Sequence, residues 1–340
     1  MEAFNLLDHA KTFGPDGKEY AVVRVLDQSD PIVRDAVTVE SNSDSGHEYA
    51  VQNGLPSVVW RKAYQGVKPS KGSQTVVKET YGRMSAVSMV DVAIAEKGGK
   101  VSEVRGAMMR DKLEAMTQEF ASKLIYGSNQ DDEKAFVGFA ARYSKLTGAA
   151  TSKQIVDFKE KVAIENNDAL SSIYLIGWAK GKIFTFYPKG TRAGIKTYDY
   201  SKNGPIDLVD ADGGSFPGYK EQAEWLAGLA VQDWRYGARV CNIDTKKLNN
   251  EENKKALYEA FMTAVGKIHR LEGIKLVAYC SRDVKDALRA GYMKSGGVTV
   301  FQNNNMTSSG NQGYANHDLI IDGIHIKAED AIVHTEDQVK

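Results

Sequence analysis

Residues 190–197 hold the residue types of a phosphate loop: Gly190-Thr191-Arg192-Ala193-Gly194-Ile195-Lys196-Thr197. That chemistry needs four residues between the glycines and a lysine directly after the second, so that backbone N–H groups and the ammonium converge on one phosphate chain. Here three residues separate the glycines and Ile195 intervenes. Tyr198-Asp199-Tyr200 then reads as strand, not as the helix whose N-terminus would complete the cradle. A Gly-rich turn in a sheet is the better reading. Asp207, Asp210 and Asp212 before Gly213-Gly214 resemble a calcium loop, but Gly214 stands where a third oxygen ligand is required and no Glu closes the loop in register. His317, His325 and His334 are spaced to suit neither helical i,i+4 ligation nor neighbouring same-face positions of a strand. Cys241 and Cys280, the only cysteines, lack metal-ligand spacing and any local activating motif; no Gly-x-Ser-x-Gly elbow or carboxylate pair stands out. The sequence predicts no enzyme, no cofactor and no metal.

Lys68 and Lys71 leave three readings open: contact with acidic surface on a neighbour, a grip on nucleic acid, or solvation of a loop tip. Two lysines without interleaved aromatics at the tip are weak support for nucleic-acid readout.

The bulk numbers are those of an ordinary globular protein. The 340 residues are 42% apolar and 26% charged, enough for two packed cores or one core with large excursions. Lys plus Arg equals Asp plus Glu, 44 against 44, so the chain lacks the basic excess of a protein that coats nucleic acid by itself. Zero net charge also favours association, because nothing long-ranged keeps copies apart. Two cysteines suggest a reducing compartment. No basic region followed by an apolar stretch opens the sequence, and no apolar run approaches the roughly 18 residues of a membrane span; the expectation is synthesis in the cytoplasm.

The charge is divided along the chain. Residues 1–54 hold four bases and ten acids, 4 minus 10 or −6, whereas residues 55–100 hold eight bases and three acids, 8 minus 3 or +5. Adjacent segments of opposite sign suit an arm and a ribbon that cross between subunits, where complementary fields set register. Chance fluctuation among solvated charges is the plainer alternative.

Residues 1–54 read as an arm with little core, with a strand pattern at Tyr20–Leu26 and an extended polar connection from Glu40 to Gly54. A two-stranded ribbon follows, with strands near 57–67 and 75–87 rich in Val, Thr, Tyr and Trp and a tip at Lys68-Pro69-Ser70-Lys71-Gly72-Ser73. Pro69 removes a backbone donor there and blunts the edge. Trp60, Lys62, Tyr64 and Gly66 alternate with Val59, Arg61, Ala63 and Val67. Neither face is cleanly apolar, as suits a ribbon lying on a partner's surface.

A helix over 103–126 comes next, with Ser102 as N-cap and Gly127 as a left-handed C-cap. Met109, Leu113, Met116, Phe120 and Leu124 recur at steps of 4, 3, 4 and 4 and make one apolar stripe; Glu119 and Lys123 form an i,i+4 pair. Beyond 127 the pattern is α/β in short pieces. Strands are expected at 172–178, 182–187, 219–234, 238–243 and 274–279, and helices at 251–270 and 282–292. A Gly/Asn/Ser-rich loop follows over 294–316, then two closing strands, 318–322 and 324–328, about an Asp322-Gly323 turn.

Leu55-Pro56-Ser57-Val58-Val59-Trp60-Arg61 followed by Gln65-Gly66-Val67-Lys68-Pro69-Ser70-Lys71 resembles the extended-loop signature of major capsid proteins of tailed bacteriophages, in a branch of short-tailed and related phages. Tyr126-Gly127-Ser128-Asn129, Phe136-Val137-Gly138-Phe139, Trp178 with Tyr187-Pro188-Lys189-Gly190, and Trp234-Arg235-Tyr236 leading to Asn242-Ile243-Asp244 agree in order, and the likeness runs from about residue 50 to the C-terminus. Relatives often carry Leu-Asn where this chain has Ala63-Tyr64.

The resemblance implies the α+β Johnson fold. By it, 1–54 is an N-terminal arm, 55–100 an extended β-hairpin loop, 101–150 a peripheral domain with spine helix 103–126, 151–316 a central α/β axial domain, and 317–340 a return to the peripheral domain. It implies a structural shell protein that self-assembles through pentamers and hexamers around packaged double-stranded DNA, held without sequence specificity. The virion capsid is its expected location, with synthesis in the host cytoplasm. Partners would be further copies of the chain, a separate scaffolding protein, a portal and optionally a decoration protein, with no membrane. Trp60, Arg61, Tyr64, Lys68, Pro69, Ser70, Lys71 and Gly72 would make the inter-subunit contact, Gly98 and Gly99 a hinge, and the Met109–Leu124 stripe the core of the spine helix. No Lys, Asn and activating acid match an isopeptide cross-link. Two rivals remain at this point: an encapsulin-type compartment of the same fold and a nucleotide-binding enzyme resting on the failed phosphate loop.

Overall fold

A computed structural model describes residues 30–96, 101–130, 134–191, 193–209, 213–295 and 319–340. In chain order the elements are α1 (Pro31–Asp35), β1 (Thr38–Glu40), β2 (His47–Gly54), β3 (Ser73–Glu79), β4 (Gly82–Asp91), α2 (Val92–Ala95), α3 (Val101–Tyr126), α4 (Phe139–Arg142), β5 (Ile155–Asp157), β6 (Leu170–Trp178), β7 (Ile183–Tyr187), β8 (Ile195–Asp199), β9 (Ile206–Val209), β10 (Ser215–Val231), β11 (Gly237–Asp244), α5 (Glu251–Lys267), β12 (Lys275–Cys280), α6 (Arg282–Lys294), β13 (Leu319–Ile321) and β14 (Ile324–Ala328).

The long helix α3 forms where the apolar spacing asks for it. Leu113, Met116, Phe120 and Leu124 are buried, and Met109 is half-buried against the same core. Removing each such side chain from water stabilises by about 1.5–3 kcal/mol. The stripe packs on β4 and β10: the Phe120 ring lies 4.3 Å from Trp225 and 5.7 Å from Phe136. Glu119 and Lys123 pair at 3.6 Å. The helix begins at Val101, so Ser102 sits inside its first turn and is not the N-cap. Gly127 is not among the residues of positive φ. It is needed because the chain returning at Phe136–Gly138 passes too close for a Cβ.

One branched sheet carries the rest. Fully buried β6 has β12 antiparallel on one edge and β11 antiparallel on the other, with β5 parallel beyond β11 and β14 then β13 beyond β12. A single bridge, Trp178 to Ile183, links β6 to β7. Strand β7 carries β1 in parallel and the end of β10 antiparallel. The rest of β10 bears β4 on one edge and β8 and β9 on the other. Helix α5 packs against β11 and against α6. Its face Leu257, Phe261, Val265 with the following Ile268 is buried, and Asn250 caps it by accepting from Glu252 N at 3.0 Å. Asp322 and Gly323 turn β13 into β14 with φ of 52° and 78°, the conformation such a hairpin requires.

Two expectations about the ends need revision. The closing strands add to the sheet beside β12, and only the segment from Glu329 onward runs back to α3, where the Tyr126 hydroxyl donates to Glu336 Oε1 at 2.6 Å. The ribbon's strands are β2 and β3, so its first strand is 47–54, within the segment read as arm, and 57–67 is not strand. The span expected as one strand over 75–87 is two, β3 and β4, broken at Thr80-Tyr81.

Candidate interaction site

Strands β2 and β3 run antiparallel from the rung His47–Glu79 to Gly54–Ser73, with an irregularity between Gln52 and Gly54. Beyond that rung every residue from Leu55 to Lys71 is exposed and none is in a strand. The segment doubles back on itself: the Ser70 hydroxyl donates to Ser57 O at 3.0 Å, and a Cβ on Gly72 would come within 2.9 Å of Gly54 O. The true tip is the turn Lys62–Gln65, where Gln65 N donates to Lys62 O at 3.2 Å and Lys62 N to Gln65 Oε1 at 3.1 Å. Arg61 Nη1 donates to Gln65 O at 3.3 Å, and Tyr64 takes a left-handed φ of 64°. Lys68, Pro69, Ser70, Lys71 and Gly72, expected at the tip, lie on its returning limb. Pro56 and Pro69 cannot donate to a ladder at the positions where the β2–β3 pairing would have to continue, and the residues between them are not in a strand.

The loop presents uncovered apolar side chains, and its only charges are positive. Trp60 is 99% exposed, Val58 93% and Leu55 82%. Residues 55–72 contain Arg61, Lys62, Lys68 and Lys71 and no acid. Exposed apolar side chains in this density, held by their own turn, set the loop apart from the singly scattered apolar residues of an ordinary surface.

The root of the ribbon is buried and polar. Glu79 receives two bonds from Arg142 at the end of α4, Nη1 to Oε1 and Nη2 to Oε2, both at 2.7 Å. The Tyr49 hydroxyl lies 3.0 Å from Glu79 Oε1 and 2.9 Å from Val231 O; burial beside Glu79 raises its pKa and keeps it protonated. His47 packs on Phe184 at 5.2 Å and Phe186 at 5.7 Å. Burial lowers its pKa and Glu79 acts in the opposite sense. Reading the sequence missed Arg142, Tyr49 and Glu79, because nothing local joins residues 63 and 93 positions apart.

Of the charge division along the chain, one ion pair among the described residues joins the acidic segment to the basic one, Glu48 with Lys78. Also in the acidic segment, Asp35 binds Lys327 and Lys275 at 2.8 and 2.9 Å, and Glu40 accepts from Gly190 N. Gly98 and Gly99 lie outside the described residues, as do Arg192, Asp210, Asp212 and His317. Around the former phosphate-loop reading, Ala193 and Gly194 turn directly into β8. Among the described residues no His/Cys/Asp/Glu group could hold a metal, and no helix is long and apolar enough to cross a membrane. Both cysteines are buried, which pushes their thiols up to about 12.

Residues 14–340 match the family model described as major capsid protein GP7. Among solved structures, the chain aligns over its whole length with 98% of a chain of bacteriophage epsilon15, at 24% identity and a TM-score of 0.64. It overlaps the capsid of bacteriophage JBD30 over 78% of this chain and 83% of that one, at 8% identity and a TM-score of 0.45. The encapsulin of the holo-SrpI complex from Synechococcus elongatus PCC 7942 is similar over 64% of this chain and 89% of that one, at 12% identity and a TM-score of 0.41. No curated protein matches the chain.

Proposed function

The chain belongs to the major capsid protein GP7 family and has the α+β phage capsid fold, and on that premise we propose that it builds an icosahedral shell of pentamers and hexamers around packaged double-stranded DNA. One observation carries the subunit-to-subunit part: every residue of 55–71 is exposed, yet the segment is ordered by its own bonds and displays Leu55, Val58, Trp60 and Tyr64 to nothing. Another copy of the chain is the surface that covers them. Trp60 and Tyr64 are the anchors, because large aromatics in a covered centre carry most contact energy. Arg61, Lys62, Lys68 and Lys71 then set orientation at the rim.

In this reading α3 is the spine helix of a peripheral domain and the sheet about β6 with α5 and α6 is the axial domain. Assembly uses a separate scaffolding protein and a portal, with a decoration protein as an optional addition, and the chain is made in the host cytoplasm. Many weak contacts per copy allow errors to be corrected and become stable when summed around a closed shell. A phage capsid family favours this over an encapsulin-type compartment and over a nucleotide-binding enzyme.

The test removes Val58–Pro69 and joins Ser57 to Ser70 by two glycines, the spacing their 3.0 Å contact permits. The expected product is a folded chain with unchanged far-UV circular dichroism that forms no shells under the electron microscope, with or without scaffolding protein. Normal shells from this variant overturn the proposal.

A further inference from the structure

We infer that Arg142 is a positioning residue that aims the ribbon, acting through Glu79 at the last rung before the body. The inference rests on the reading of loop 55–72 as the inter-subunit contact and adds what holds that loop in the direction of its partner.

The rung His47–Glu79 is attached on both sides. On the β3 side, both Glu79 oxygens are taken by Arg142, whose own Nε donates to Val137 O at 3.2 Å and whose Nη2 also reaches Leu229 O at 3.3 Å. The guanidinium therefore ties β3 to α4 and to β10 at once. Its side chain is 16% exposed and that of Glu79 is 11% exposed, so water competes little. On the β2 side, His47 sits edge-on to Phe184 of β7 and lies 3.2 Å from Gln232. Tyr49 adds a third point by reaching Val231 O. A pair held at one edge can swing; one held at both edges and one step along can neither swing nor twist.

Further out, Gln52 and Gln74 are exposed and Val51 and Val77 only half-buried, and a lone two-stranded ribbon has little stiffness of its own. From the rung to Gly54 the strand extends about 23 Å at 3.3 Å per residue. A tilt of about 10° at the rung would displace that end by about 4 Å, most of an inter-strand spacing of about 4.8 Å, enough to misplace Trp60 on any partner. The choice of arginine follows from geometry: a planar fork fixes the carboxylate's plane, whereas lysine supplies only a point charge.

The test measures the ribbon's direction in the unassembled full-length chain. Paired spin labels on Ser70→Cys and Gln118→Cys report the loop-to-helix distance by pulsed electron resonance; the buried native cysteines stay unlabelled. The parent is expected to give one narrow distribution. Arg142→Ala and Glu79→Ala should each widen it at least twofold, their combination no further, and Arg142→Lys should fall between. A width unchanged in Arg142→Ala overturns the inference. Should that variant not fold, Glu79→Gln, which keeps the shape and removes the charge, gives the same reading: widening supports the clamp and an unchanged width overturns it. Shell assembly separates this from its premise. Wide distributions with normal shells support the clamp and sink the bridging role of the loop. Unchanged widths, with assembly lost on excising 58–69, overturn the clamp and leave the bridging role standing.

Discussion

Gly127 and Gly138 cross with no room for a side chain between them: Gly138 N donates to Gly127 O at 2.8 Å, and a Cβ on Gly138 would lie 2.6 Å from Lys123 O and 2.8 Å from Leu124 O. The end of α3 and the start of α4 are thereby locked, and α4 carries Arg142. Gly138→Ala is expected to cost about 1–3 kcal/mol, because the neighbours are backbone and cannot turn aside. Urea denaturation of the unassembled chain checks this through a lower midpoint with an unchanged slope.

The buried ion pair Arg239–Glu336 holds the C-terminal segment. Arg239 Nη2 meets Glu336 Oε2 at 2.8 Å, both side chains are at most 5% exposed, and Ser172, Tyr126 and Tyr174 complete the carboxylate's bonding. Removing one partner of such a pair leaves an uncompensated charge and costs about 3–5 kcal/mol. Glu336→Ala should therefore lower the melting temperature and speed amide exchange over 329–340 ahead of β6. Exchange that rises uniformly through the whole chain would show that the pair has no local role.

How far the sequence disclosed this structure depends on the range of the interactions. Helix α3, helix α5 and the Asp322-Gly323 turn were legible, because periodicity and turn chemistry are local. Ser102 reads as an N-cap before a helix from 103, yet the helix already includes Val101, two residues earlier, since helix starts depend on where packing begins. The ribbon was shifted toward the C-terminus because Val58, Val59 and Trp60 look like strand residues; their β-forming character serves an uncovered surface, while the pairing falls to the plainer His47–Gly54. Gly127 was read as a cap from its position, when the demand on it comes from residues 136–138. Glu79, Tyr49 and Arg142 meet only through the fold, and no spacing announces them.

Trp60→Ala should separate folding from assembly. The indole is 99% exposed and makes no contact the fold depends on, so thermal and urea stability are expected within about 0.5 kcal/mol of the parent. Assembly should fall steeply, since a covered aromatic anchor is worth about 2 kcal/mol or more per contact and the loss repeats at each interface. Light scattering during scaffold-driven assembly reads the second effect, and parent-like assembly kinetics would remove Trp60 from the interface.

Glu329 gives the chain a stability that declines as pH rises. Its carboxyl is wholly buried, Oε2 accepts from Ile32 N at 3.1 Å, and the carboxyl of Asp30, also buried, acts on it, with Asp330 adding negative charge beside Asp30. Burial first, and Asp30 next, push Glu329 up to about 9, and burial raises Asp30 as well. Raised folded values mean that the folded state holds the proton where the unfolded chain has released it. The stabilisation is then complete below the ordinary carboxylate range, near pH 4.5, and is lost progressively as pH climbs toward 9. Lys327 and Lys275 hold the pKa of the neighbouring Asp35 down against its burial, and the Tyr279 hydroxyl donates to its Oδ2 at 3.0 Å; Asp35 acts in the opposite sense only below the ordinary carboxylate range. Glu329→Gln keeps an acceptor for Ile32 N and an N–H donor facing Asp30, and removes the titrating group at position 329. Between pH 6 and 9 its unfolding free energy should fall less with pH than the parent's, and it should exceed the parent at pH 8.5. Parallel curves for the two chains across that range would place the proton elsewhere.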